Sequence, residues 1–233
     1  MPRPFLTAAW RDLLLLNWRV DPQLLQPHLP AGTELDSYQG SHYVSLGGFR
    51  VLDLAVRGVP ALGYRDFPEV NLRFYVRREV AGQVHRGVVF FREMTPHRMV
   101  EWVARCFYNE PYQTLPMRYE VNDRHTGYEW QQGSHWSGMA VEASGEWHDP
   151  DRESIDAFFI EHYWGYNRQR DGTTMEYEVT HPKWQVRLAK LARFDSGLAN
   201  LYGPEWEGIL ADEPESVVLA EGSEIAVFHG RRI

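Results

Sequence analysis

Lysine is almost missing from this chain: of 24 basic side chains only Lys183 and Lys190 are lysines, and the others are arginines. Guanidinium is a permanently charged planar fork suited to carboxylates and phosphates, whereas lysine is the amine whose pKa falls on burial. A catalytic amine therefore has two places to sit. Cysteine is scarcer still. The single Cys106 excludes an internal disulfide and thiolate metal clusters and implies a reducing compartment. Lying in an apolar helical pattern, it is expected to be a buried structural thiol. Long apolar runs are absent too, and stretches such as Leu13–Leu16 are far too short to cross a bilayer. Met1-Pro2-Arg3-Pro4 lacks the apolar run and cleavage site of a signal peptide. The expectation is a cytoplasmic protein with no membrane partner. A net charge of −8 without a basic run likewise argues against a nucleic-acid partner, which needs clustered phosphate-neutralising contacts.

What is present is a core-forming composition, 43% hydrophobic and 14% aromatic over 233 residues, with no linker between segments. The expectation is one domain spanning residues 1–233, with self-association left open. Residues 10–20 read as a strand, followed by a helix from Pro22 to Leu29 that Asp21 caps. Ser41 to Val56 is strand-like, with a bulge or close backbone approach at Gly47-Gly48. Val70–Val80 and Val84–Glu93 form a hairpin about Ala81-Gly82-Gln83. Thr95-Pro96 opens a helix with Met99, Val103, Cys106 and Phe107 at helical spacing, closed by Asn109-Glu110-Pro111. Ser154 to His162 is another helix, and Val217–Ala220 with Glu224–Phe228 a final hairpin. Trp10, Trp18 and Trp102 fall in apolar patterns and are expected in the core. Strands joined mostly by hairpins, without βαβ alternation, predict a mainly antiparallel α+β fold, curled or barrel-like.

The usual signatures of chemistry are missing. Gly133-Ser134-His135-Trp136-Ser137-Gly138 has histidine where a nucleophile elbow needs serine, and there is no dinucleotide fingerprint or Walker loop. No His-x-x-x-His pair exists, so a metal would need distant residues such as His97, His162 and His181, and scattered histidines are the plainer reading. No cofactor or metal is expected.

The informative stretch is the lysine-free Tyr64–Met117, dense in Arg, Glu and aromatic residues. From Glu69 onward, strand alternation puts Glu69, Asn71, Arg73 and Tyr75 on one face and Val70, Leu72, Phe74 and Val76 on the other. A polar strand face is usually solvated. The alternative is a pocket, in which these four side chains offer an acceptor, an amide, a bidentate cation and a phenol to an acidic or carbonyl ligand.

Trp10-Arg11-Asp12-Leu13-Leu14-Leu15-Leu16-Asn17-Trp18, Asp66-Phe67-Pro68-Glu69-Val70-Asn71-Leu72-Arg73 and Tyr108-Asn109-Glu110-Pro111-Tyr112 together resemble the uncharacterised YqjF-like family. Glu161-His162-Tyr163 and Thr180-His181-Pro182 extend the resemblance over nearly the whole chain. That family is similar to acetoacetate decarboxylase, which implies a cone-like barrel enclosing a ligand pocket. In the decarboxylase a lysine, made nucleophilic by desolvation and a neighbouring cation, forms a Schiff base with the β-keto acid. By that resemblance Arg11 and Glu69 match its arginine and one glutamate. The other glutamate falls near Ser45 or Leu46, and the paired lysines fall at Tyr112 and Gln113. The nucleophile has no counterpart, and Lys183 is remote in sequence.

Three readings follow. A small-molecule-binding protein would pair a ligand carboxylate with Arg11 or Arg73 and orient its carbonyl through Tyr112 and Asn109, with Asn71 and Gln113 also in the binding site. An enzyme of lyase or hydrolase type would use Glu69 for proton transfer and Tyr112 as the donor to a developing enolate. A protein-interaction scaffold would use the abundant Trp, Tyr and Arg as anchors.

Overall fold

The computed structural model describes residues 3–195, 199–203, 206 and 208–233, so Met1 and Pro2 of the N-terminal motif lie outside the described residues. Its strands in chain order are β1 (Leu6–Val20), β2 (Glu34–Leu35), β3 (His42–Val56), β4 (Val59–Pro60), β5 (Asp66–Val80), β6 (Gln83–Thr95), β7 (Tyr112–Thr114) and β8 (Met117–Val121). They continue as β9 (His125–Gln132), β10 (His135–His148), β11 (Trp164–Arg168), β12 (Thr174–Thr180), β13 (Val186–Phe194), β14 (Ser216–Val227) and β15 (Arg231–Arg232). The helices are short: α1 (Pro22–Leu25), α2 (Arg98–Phe107), α3 (Ile155–Ile160) and α4 (Ala199–Tyr202).

All fifteen strands share one mixed, largely antiparallel sheet, in which β6 pairs in parallel with β7 and β11. The main path runs β15-β12-β11-β6-β5-β3-β1-β14-β13-β10-β9-β8. β12 also pairs with β14 at Val179↔Val227 and Thr180↔Ala226, so the path from β12 through β5 to β14 returns on itself. The two apolar clusters are built from opposite faces of the same strands. Leu14, Leu16, Val70, Leu72, Phe74 and Val76 belong to one; Leu13, Leu15, Phe67 and Tyr75 belong to the other.

Local chemistry explains most element boundaries. Asp21 accepts from the Gln23 amide and Pro22 occupies the first helical turn, so the chain turns into α1 directly after β1. The helix expected to reach Leu29 ends at Leu25 and tightens into a 3-10 turn over Gln26–His28 around Pro27, whose missing N–H cannot continue the α ladder. The hairpin loop is Ala81-Gly82, both at positive φ (50° and 77°), as a two-residue primed turn requires. Gly47 and Gly48 leave β3 unbroken and permit close approach: a Cβ on Gly48 would lie 2.5 Å from Met139 Cε and 2.7 Å from Tyr128 Cδ2. The bulge lies in the opposing strand, where Asp12 at φ 58° shifts β1 against β3.

Other expectations need correction. No hairpin separates Val217–Ala220 from Glu224–Phe228. β14 runs straight through Glu221-Gly222-Ser223, because β1 pairs with it on both sides of Gly222, at φ 80°, without a register shift. α3 stops at Ile160, leaving His162 beyond it. Cys106 is exposed, and Trp102 is 57% exposed, because α2 lies on the surface and contributes no buried residue. Trp18 is buried as expected.

Candidate functional site

A cavity of about 270 Å³ lies against the β5 face that carries Glu69, Asn71 and Arg73. Period-two alternation selects its lining. From β1 come Leu6, Ala8 and Trp10, then Leu13, the bulge at Asp12 having changed the parity. β6 supplies Val88 and Phe90, then Glu93, for the same reason. The β5–β6 register slips between Leu72 and Arg73, so Asn71 faces Glu93 instead of Arg92. Along α2, Met99, Val100, Val103 and Ala104 cover one side. Phe49, Phe67, Phe159, Trp164 and Trp184 add aromatic wall.

Against these apolar walls stands a buried polar group. Glu69, Glu93 and Glu110 are each almost wholly buried, with Arg73 and Asn71 among them. The Tyr112 hydroxyl donates to Glu69 Oε2 at 2.9 Å, and the Tyr177 hydroxyl to Glu110 Oε1 at 2.7 Å. Desolvation, joined at Glu69 and Glu93 by repulsion from neighbouring acids, outweighs these donors. Glu69 and Glu110 are each pushed up to about 7, burial being the largest cause, and Glu93 is pushed well above the ordinary carboxylate range. Tyr112 and Tyr177 are also raised, by burial and by the carboxylates beside them, so they remain hydroxyl donors.

His162 sits at another part of the lining. Its Nε2 is 3.3 Å from Asp36 Oδ2, which accepts from Arg86 Nε at 2.7 Å. Burial lowers His162 to about 4, while its hydrogen bonds to His162 and Arg86 hold Asp36 at about 2 against desolvation. Near neutral pH the imidazole is therefore neutral, with its proton on Nε2 facing an ionised Asp36, and Nδ1 is an acceptor.

Of the residues expected at a site, Glu69, Asn71, Arg73 and Tyr112 line the cavity together; Arg11, Asn109 and Gln113 do not. Arg11 falls on the opposite parity to Trp10 and pairs with Glu224 at 2.6 Å. Gln113 alternates away from Tyr112 and accepts from Arg92 Nη1. Asn109, at φ 55°, closes α2 and donates to the Arg168 carbonyl. Sequence reasoning missed Glu93, Glu110 and Tyr177 as lining residues. Glu110 lies in the Tyr108–Tyr112 segment, where Asn109-Glu110-Pro111 reads as a helix stop. Neither lysine lines the cavity: Lys183 is 64% exposed and bonded to Glu161, and Lys190 is exposed. Among the described residues no group of three or more His, Cys, Asp or Glu is arranged to hold a metal, and no helix is long and apolar enough to cross a membrane. His162 and His181 line the cavity, whereas His97 packs its ring edge-on to Tyr64 and Phe67.

Comparison with solved structures gives an acetoacetate decarboxylase from Legionella pneumophila, with a TM-score of 0.66 at 15% identity over 100% of this chain and 88% of that one. The enduracididine biosynthesis enzyme MppR, complexed with pyruvate, gives a TM-score of 0.65 at 12% identity over 100% and 91%. The fold is thus acetoacetate decarboxylase-like. In sequence, the uncharacterized protein YqjF of Bacillus subtilis (strain 168) is 30% identical over 189 residues, covering 78% of this chain and 75% of that protein. Residues 7–224 match the DUF2071 model, and the chain belongs to this family of uncharacterized conserved proteins.

Proposed function

We propose that this protein binds a small, largely apolar carbonyl-containing or carboxylated molecule in the β5-facing cavity, without Schiff-base chemistry. The observation that carries the reading is a buried set of Glu69, Glu93, Glu110 and Arg73 at the wall of an aromatic cavity. Such groups are costly to bury and are found where a ligand or reaction uses them. An engineered cavity of about 150 Å³ holds benzene, so this one suits a single-ring or branched aliphatic compound with a short polar chain. Arg73 would donate to the carbonyl or carboxylate oxygen, and Tyr112 and Gln113 fall where the decarboxylase resemblance puts its paired lysines. We infer further that the strands closing through β12 and β14 form the cone-like barrel of that superfamily. We also infer that residues 1–233 make one cytoplasmic domain with no nucleic-acid partner.

The test is thermal. A metabolite panel should contain a ligand that stabilises the protein by roughly 2.7 kcal/mol at a hundredfold excess over its Kd, and no shift from any compound would count against binding. Treatment with acetoacetate or pyruvate and borohydride should leave the intact mass unchanged; a reduced adduct on Lys183 would overturn the absence of a Schiff base.

A second reading, an acid–base lyase or hydrolase, is favoured by the Glu69 carboxyl, pushed up to about 7 by burial and bonded to Tyr112. Glu69→Gln should then abolish any turnover found by substrate screening. The scaffold reading ranks third and rests on the exposed Trp102 and Phe107.

A further inference from the structure

With its carboxyls ionised, the cavity presents more unpaired acceptors than donors to an occupant. Asn71 Oδ1, Glu93 Oε2, Glu110 Oε2 and His162 Nδ1 are buried without a hydrogen-bond partner, and all four residues line the cavity. Arg73 Nε is the one buried lining donor, among the described residues, in the same condition. Buried polar atoms are rarely left unpaired, so their concentration on one cavity points to a molecule carrying complementary groups. Three of these atoms come from neighbouring segments. Asn71 opposes Glu93 across β5 and β6, and the Glu93 amide donates to the carbonyl of Pro111, the residue after Glu110.

Charge points the same way. Fully ionised, Glu69, Glu93 and Glu110 face a single arginine among the described lining residues, Arg73, and neither lysine lines the cavity. An anionic occupant would add a like charge and more acceptors. A primary ammonium brings three donors and no acceptor, matching Asn71 Oδ1, Glu93 Oε2 and Glu110 Oε2 one for one. Its attached carbon chain would rest on the aromatic wall.

We propose that the cavity takes an amine-bearing carbonyl compound with an apolar body. Its ammonium is held by Glu93, Glu110 and Asn71, and its carbonyl oxygen accepts from Arg73. This rests on the ligand-binding reading above and narrows it from carboxylated or carbonyl compounds to amino-carbonyl ones. A carboxylic acid that keeps its proton donates instead of accepting, which would suit a carboxylate ligand, and the experiment separates the two.

Calorimetric titration at pH 8 compares three probes with the same phenyl body: 3-phenylpropylamine, 3-phenylpropanoate and 4-phenyl-2-butanone. The amine should bind at least about tenfold more tightly than the carboxylate. Glu110→Gln and Glu93→Gln, which keep shape and remove charge, should each weaken the amine by about tenfold or more and weaken it more than they weaken the ketone. Equal or tighter binding of 3-phenylpropanoate overturns the proposal on the wild-type protein, whether or not the variants fold. Binding of the ketone or carboxylate without the amine overturns this inference and leaves the ligand-binding reading standing. Binding of none overturns both.

Discussion

Glu69 shows how one residue's environment becomes a measurable pH dependence. Its carboxyl, and that of Glu110, are raised from 4.5 to about 7 by burial. A carboxyl with a folded pKa above its unfolded one contributes stability that is complete below about 4.5 and lost as pH rises through about 7. Glu69→Gln keeps an acceptor for Tyr112 and removes the buried charge. The variant should therefore be more stable than wild type at pH 8, by roughly 1–3 kcal/mol, with the advantage gone near pH 4.5. Denaturant melts across that range read the difference, and an unchanged gap would mean that Glu69 is not titrating in the fold. His162 has the opposite sign. Its folded pKa is depressed from 6.5 to about 4, so stability is present above 6.5 and lost as pH falls towards 4. His162→Gln should flatten the acid limb of the wild-type stability curve and leave the alkaline limb in place; an unaltered acid limb would assign it to another group.

At the scale of elements, alternation and turn chemistry carried the reading until a bulge intervened. The β5–β6 hairpin, the Asp21-Pro22 cap and the helix stop at Asn109-Glu110-Pro111 follow from local residue chemistry and were legible. Straight counting from the Ala81-Gly82 turn pairs Asn71 with Arg92 and turns Glu93 away. The slip near Leu72 exchanges them, and nothing in the local sequence announces it. The Asp12 bulge has a similar effect in β1, placing Trp10 and Leu13 on the cavity and Arg11 off it. Gly222 imitated a turn because its conformation is glycine-specific, yet the cause is proximity: a Cβ there would lie 2.1 Å from the Trp10 carbonyl oxygen. Gly48 makes the same point on β3. Gly48→Ala should destabilise by about 1–3 kcal/mol through the clash with Tyr128 and Met139. Gly82→Ala offers the contrast of a strained φ with open space around it. Urea melts of both variants check the origin of the cost: it is steric if the additional change Met139→Ala reduces the loss at Gly48 but not at Gly82.

For the whole molecule, the decisive feature is that the cavity wall is assembled from both ends of the chain. Leu6 of β1 and Val227 of β14 line it together and are paired in register. The same Val227 pairs with Val179 of β12, and β15 ties to β12 through Arg231, which shares the buried Glu176 carboxylate with Arg78. β12, β14 and β1 are thereby tied together at the cavity wall, so these strands cannot part without exposing it. The proposed single domain over residues 1–233 should therefore unfold in one transition, with equal calorimetric and van't Hoff enthalpies. A ligand in the cavity should move that entire transition, since ligand binding and the closure of the sheet depend on the same contacts. A lower-temperature step that a cavity ligand left unmoved would show that part of the sheet melts independently of the site, and would divide the chain into more than one folding unit.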